Sequence, residues 1–167
     1  MARTDRLTGA MNLRAFYESV EEELARGARY GHPFSLIYLD VDDFKVINNT
    51  LDHQGGDRLL ELLVGTILAH IRSTDVISRL GGDEFAVLLP ETAGDAAVQI
   101  AHKLRGALLS ELQVEHLRVT VSMGAITCME PSRTVDDLIR IADVLMYEAK
   151  SKGKDHMEHR VVRSSGV

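Results

Sequence analysis

Residues 79–90, Arg-Leu-Gly-Gly-Asp-Glu-Phe-Ala-Val-Leu-Leu-Pro, constrain this chain more than any other stretch. Residues 75–80 read as one short strand and residues 85–89 as a second, closed by Pro90. Between them Gly81 and Gly82 leave the backbone free to take positive φ, and Asp83 and Glu84 follow at once. The segment is expected to be a β-hairpin with an acidic, sterically open tip. Such a tip suits a polyphosphate lying across bare backbone while a carboxylate holds the accompanying cation. It suits an ordinary turn equally well, because Gly-Gly-Asp is common turn chemistry.

Asn12 is a candidate N-cap for a helix through Phe16, Val20 and Leu24 that stops at Gly31 before Pro33. Residues 34–39 form an apolar strand running straight into Asp40-Val-Asp-Asp-Phe-Lys45. A buried strand thus delivers carboxylates at its C-terminal end, where open sheets commonly place ligands. Asp42 or Asp43 can cap the helical turn that follows. Leu59, Leu60, Leu62, Leu63, Ile67 and Leu68 recur at helical spacing from near Asp57. Beyond the hairpin the pattern predicts a helix over Ala97–Leu108, a strand over 117–126, a helix from Val135 to about Gly153, and a short strand near 157–162. This order predicts an α+β, ferredoxin-like βαββαβ fold: an antiparallel-rich central sheet covered by helices, mainly on one face.

A length of 167 residues fits one domain with a substantial core. The net charge of −6 argues against a nucleic-acid groove or an anionic-lipid surface, so any phosphate site must be local. Cys128 is the single cysteine, sits in an apolar run, and reads as a buried thiol. No apolar stretch reaches the roughly 18 residues of a membrane span, and the N-terminus lacks an apolar leader. The expectation is a single cytoplasmic domain over residues 1–167, one that could be a fragment of a larger protein.

Three constellations carry candidate chemistry. If the first strand neighbours the hairpin, Asp40 and Asp83 meet at one edge and could share divalent cations, with the Val41 carbonyl as a further oxygen. Lys45, Lys150 and Lys154 form the second, the last two lying on one helix face. Asn48 and Asp57 form the third, an amide and a carboxylate able to pair with the donors of guanine. Each has a plainer reading: the acids and the amide as helix caps, the lysines as partners of a helix dipole.

Taken jointly, these segments resemble the GGDEF family of diguanylate cyclases. Arg79-Leu-Gly-Gly-Asp-Glu-Phe85 matches the family signature letter for letter. Asp5-Arg-Leu-Thr-Gly9 with Asn12, Asp40–Asn48, His53-Gln-Gly-Gly-Asp57, Val119–Gly124 and Ala142–Lys150 agree in order along the chain. The resemblance implies a palm-type nucleotide cyclase fold and the joining of two GTP into cyclic di-GMP with release of two pyrophosphates. It implies two Mg²⁺ or Mn²⁺ per active site, held by Asp40, Asp83 and the Val41 carbonyl, with Glu84 as a ligand or as the base for the 3′-hydroxyl. Asp83, Glu84 and Lys45 are the implied catalytic residues. Asn48 and Asp57 match the guanine-reading pair. Lys45, Lys150 and Lys154 match phosphate-binding positions, together with the backbone of Asp43 and Phe44 and the bare turn at Gly82.

Arg72-Ser-Thr-Asp75 resembles the family's inhibitory Arg-x-x-Asp motif, at which product docks, and Arg105 is a candidate second arginine there. Asn49 and Asp52 depart from the usual aspartate and glycine beside the guanine pocket, Ala10, Met11 and Leu13 depart near the start, and Lys154 stands where arginine is common. Each subunit is expected to hold one GTP, so turnover needs a transient two-fold dimer; no heptad repeat precedes Asp5 to make it permanent. The alternative is a non-catalytic module that binds GTP or cyclic di-GMP and regulates an attached domain.

Overall fold

The computed structural model describes residues 2–130 and 133–163. Helix α1 (Leu13–Tyr30) begins where the Asn12 side chain accepts the Ala15 N–H at 2.9 Å and ends at left-handed Gly31. Strand β1 (Phe34–Val41) follows, then a short α2 (Phe44–Thr50) and α3 (His53–Leu68). The hairpin strands are β2 (Val76–Gly81) and β3 (Glu84–Pro90). After α4 (Gly94–Glu111) come a small hairpin, β4 (Gln113–Val114) and β5 (Leu117–Arg118), then β6 (Val121–Cys128), α5 (Val135–Ser151) and β7 (Met157–Val162).

Five strands form one sheet in the order β2-β3-β1-β6-β7, antiparallel except for the parallel β6–β7 edge. The α+β βαββαβ expectation therefore holds, but the helices cover both faces of the sheet rather than mainly one. Ile37, Leu39, Val41, Phe85, Val87 and Leu89 pack with α3 and α4 on one side. Leu36, Tyr38, Ala86 and Leu88 pack with α1 and α5 on the other. The cause lies in β1 and β6, which are buried at every position. A strand apolar on both sides needs a cover on both sides.

Two boundaries also differ from the sequence reading. Helix α3 starts four residues before Asp57, because Asp52 Oδ1 accepts the Gly55 N–H at 2.6 Å and caps it. The strand read over 117–126 is broken, with β5 ending at Arg118 and β6 beginning at Val121. Gly124 sets how closely α5 lies on the sheet: a Cβ there would overlap the backbone of Ala142 and Met146. Among the described residues, no helix is long and apolar enough to cross a membrane.

Candidate active site

The register of β1 builds the acidic edge. Asp40 stands directly opposite Glu84 of β3, and alternation puts both on the α1/α5 face together with Tyr38. The Tyr38 hydroxyl donates to Glu84 Oε2 at 2.9 Å, a diagonal cross-strand pair. Burial, then the neighbouring Glu84, pushes the Tyr38 phenol far above its usual range, so it remains a donor. From α5, Lys150 Nζ comes within 2.8 Å of Asp40 Oδ2. Asp143, seven residues earlier on α5, is raised by burial and then by the charge of Glu84.

Asp83 sits in the two-residue link of the hairpin. Gly82 before it is left-handed, with φ 49, and open space surrounds the place a Cβ would occupy at either Gly81 or Gly82. Arg79 stitches the bend: its Nε donates to the Gly82 carbonyl at 2.9 Å, and its Nη1 reaches Asp5 Oδ2 at 3.2 Å. This ties the N-terminal Asp5-Arg-Leu-Thr segment to the hairpin.

Asp83 directly precedes Glu84, the cross-strand partner of Asp40, so both acids lie at the same end of the sheet. Burial pushes Asp40 up to about 6 despite the Lys150 bond, and the charge of Asp83 pushes the same way. Burial also raises Asp83, opposed by its own amide, by Lys150 and by the backbone of Val41. Asp40 Oδ1 is buried without a hydrogen-bond partner among the described residues. An orphaned carboxylate oxygen beside a second carboxylate fits a hard divalent cation, and two carboxylates with an open approach suit Mg²⁺ carried on a polyphosphate better than a closed protein cage.

Around this edge, Asp42 turns out to be structural. It is buried and accepts from Thr120 Oγ1 and Ser122 Oγ, each at 2.6 Å, and from the Asp155 N–H at 2.9 Å. Asp43 occupies the N-cap position of α2 but makes no side-chain cap bond. Its φ of 56 is left-handed, and its Oδ1 takes the Lys154 ammonium at 2.6 Å. Lys45 is exposed on the first turn of α2, and Phe44 packs partly into the core. Asn48 lies over Gly56, where any Cβ would collide with its amide, and Gly56 is the residue just before exposed Asp57.

The sequence profile described as "Diguanylate cyclase, GGDEF domain" matches residues 2–156. This chain belongs to the GGDEF family. Diguanylate cyclase DgcP of Pseudomonas aeruginosa is 39% identical over 160 residues, which are 94% of this chain and 24% of that protein. The chain thus spans about a quarter of the length of that relative. The structure of diguanylate cyclase SiaD in complex with its activator SiaC, from Pseudomonas aeruginosa, superposes with a TM-score of 0.89 at 32% identity, covering 95% of this chain and 62% of that one. The GGDEF domain of DgcB from Caulobacter crescentus, in complex with c-di-GMP, gives 0.87 at 27% identity, covering 95% and 96%.

In this GGDEF domain the Arg72–Asp75 pair lies away from the acidic edge, at the start of β2. Arg72 grips buried Asp75 with two side-chain bonds, Nε to Oδ2 at 3.1 Å and Nη2 to Oδ1 at 2.8 Å. Nη2 also reaches the Pro90 carbonyl at 3.0 Å and Thr92 Oγ1 at 2.9 Å. Two clefts flank the pair. One of about 380 Å³ is lined by Arg72, Asp75 and Lys103, the other, about 360 Å³, by Arg72, Arg26 and Glu22. Arg105 is not at either: it bonds Asp155 at 2.7 Å on the opposite side of α4. Positions 103 and 105 point about 200° apart on a helix, so one of them had to miss.

The sequence reading overlooked Tyr38, Asp143, Lys103 and Arg26. Strand parity would have found Tyr38, two residues before Asp40. Helical spacing would have found Asp143, seven before Lys150.

Proposed function

We propose that this domain is a diguanylate cyclase, condensing two GTP into cyclic di-GMP and two pyrophosphates. The observation that carries the reading is the placement of Asp40 and Asp83 at one sheet end beside an open glycine bend, with the buried Asp40 Oδ1 unpartnered among the described residues. Two Mg²⁺ or Mn²⁺ would be held by Asp40, Asp83, the Val41 carbonyl and Glu84; such ions neutralise phosphate charge and polarise the attacked phosphorus.

The remaining work belongs to the chain. Lys150 and Lys154 lie at the same edge as the acids, where their ammonium groups balance the charge of the triphosphate, with exposed Lys45 on α2 beside them. The backbone of Asp43 and Phe44, turned by a left-handed residue, offers N–H groups to the β- and γ-phosphates. Gly82 lets the chain of phosphates pass close to the main chain. Asn48 and Asp57 read the guanine edge. Tyr38 keeps the Glu84 carboxylate hydrogen-bonded in place, which orients it toward the reacting 3′-hydroxyl or the cation.

One subunit holds one nucleotide, so each 3′-oxygen attacks the α-phosphorus of a GTP on a second copy in a transient two-fold dimer. Cyclic di-GMP is bound and returned as an inhibitor at Arg72 and Asp75, where Lys103 and Arg26 supply the additional cations that Arg105 does not. Incubation with GTP and Mg²⁺, followed by chromatography for cyclic di-GMP, tests the activity. Nucleotide binding without product would support a regulatory module instead.

A further inference from the structure

The turn after α5 is held by a residue that plays no part in the chemistry above. Lys154 and Asp155 both have left-handed backbone, with φ 63 and 45, a conformation that costs energy for residues other than glycine. Asp155 is clamped from two directions. Its N–H donates to buried Asp42 at 2.9 Å. From α4, Arg105 Nη1 donates to Asp155 Oδ1 at 2.7 Å and to its carbonyl oxygen at 3.1 Å. Asp42 is itself pinned by Thr120 and Ser122. Two separate parts of the fold therefore grip one strained turn, and Lys154 projects from it onto Asp43 at the mouth of α2.

We infer that Arg105 is a positioning residue for nucleotide binding: by clamping Asp155 it holds the turn that aims Lys154 at the phosphate site. The inference rests on the assignment of Lys154 to phosphate. The pair is largely shielded, with the side chains of Arg105 and Asp155 27% and 29% exposed, so it escapes most of the screening that empties surface ion pairs of value. The guanidinium touches both the carboxylate and the main chain of the turn, which fixes orientation as well as distance. When it is lost, Asp155 keeps the Asp42 bond, and the Lys154 N–H keeps the Lys150 carbonyl at 3.2 Å, but no side chain then holds the Asp155 carboxylate from α4. The turn can then relax, and Lys154 must be reordered each time a nucleotide binds.

The test is calorimetric titration of the whole chain, with Mg²⁺, by a GTP analogue that cannot be cleaved between the α- and β-phosphates. The parent is compared with Arg105→Ala, Arg105→Lys, Lys154→Ala and the Arg105→Ala/Lys154→Ala double variant. Arg105→Ala weakens binding by about five- to tenfold, the scale of a lost charge-assisted hydrogen bond. Arg105→Lys, which keeps a cationic donor, recovers most of that loss and covers the case in which the alanine variant folds poorly. In the Lys154→Ala background, removing Arg105 adds less than about twofold, since the strut no longer has a lysine to place. Unchanged binding in Arg105→Ala, or a full additional loss in the double variant, overturns the strut while leaving the phosphate assignment standing. Unchanged binding in Lys154→Ala overturns the phosphate assignment, and the strut with it.

Discussion

Lys150 Nζ lies 2.8 Å from Asp40 Oδ2, joining the last turns of α5 to the end of the central strand at the point where the hairpin brings Asp83. This pair does two things at once. It neutralises a buried carboxylate in the free protein, while among the described residues the other oxygen, Oδ1, has no hydrogen-bond partner. Replacing Lys150 by Met should therefore destabilise the free domain by only about 1–2 kcal/mol, because Asp40 can take up a proton in place of its partner. GTP turnover should fall far more, by at least about a hundredfold, since a cation at the phosphates is removed from the transition state. Urea denaturation and steady-state kinetics on the same variant measure both.

Asp40 also sets a pH window. Burial raises its carboxyl from the ordinary 3.8 to about 6. The folded chain thus holds that proton more tightly than the unfolded chain, so this group favours the fold fully below the ordinary value and loses that contribution as pH rises through about 6. A divalent cation needs the anion. The stabilisation conferred by Mg²⁺ with a GTP analogue, read as the rise in Tm, should be small near pH 5 and reach a plateau above about pH 7. In Asp40→Asn that pH-dependent rise should be absent.

Gly82 separates a fold effect from a binding effect. Its φ of 49 disfavours any side chain, yet nothing lies within 4 Å of an added Cβ. Gly82→Ala should cost about 1 kcal/mol of stability, the usual strain for a left-handed position. A loss of nucleotide affinity beyond that strain would come from the methyl group standing where the phosphates pass. Equal affinity in parent and variant would place the phosphates elsewhere.

Arg72→Ala should abolish inhibition by added cyclic di-GMP while initial turnover is kept. It strands buried Asp75, whose carboxylate then retains the Arg72 amide bond but no charged partner, and stability should fall by about 1–3 kcal/mol. Inhibition curves at rising product concentration check the first point and thermal melts the second. Lys103→Ala should weaken inhibition without the stability loss, because its side chain lines the cleft without bracing Asp75.

Much of the site could be read from the sequence because its parts are local. The apolar run into Asp40 and the glycine pair before Asp83 each dictate one conformation, and antiparallel pairing of two buried strands then brings their ends together. What could not be read depends on which way a side chain faces across the fold. Arg105 and Lys103 are equivalent in a string of letters, and only the packing of α4 assigns one to the cleft and the other to Asp155. Asp42 reads as a cap, but Thr120 just before β6 and Ser122 within it supply hydroxyls that lie 78 and 80 residues away. The cover on both faces was missed because the helices' own patterns do not say which side of the sheet they choose. Asp52, a departure from the family pattern, has a local explanation: it caps α3.

Dimerisation offers a further check. If two half-sites must meet, the specific activity should rise with protein concentration and reach a plateau, and GTP or product should shift the sedimentation of the domain toward a dimer.

The most direct test of the central claim is the conversion of GTP by the parent and by Asp40→Asn and Asp83→Ala, with Mg²⁺ and with chelator, followed by chromatographic detection of cyclic di-GMP and pyrophosphate. The account predicts product from the parent with Mg²⁺ only, and none from either variant although both retain the parent's circular dichroism. Product formed at the parent's rate by a folded Asp83→Ala variant, or formed in the presence of chelator, would contradict it.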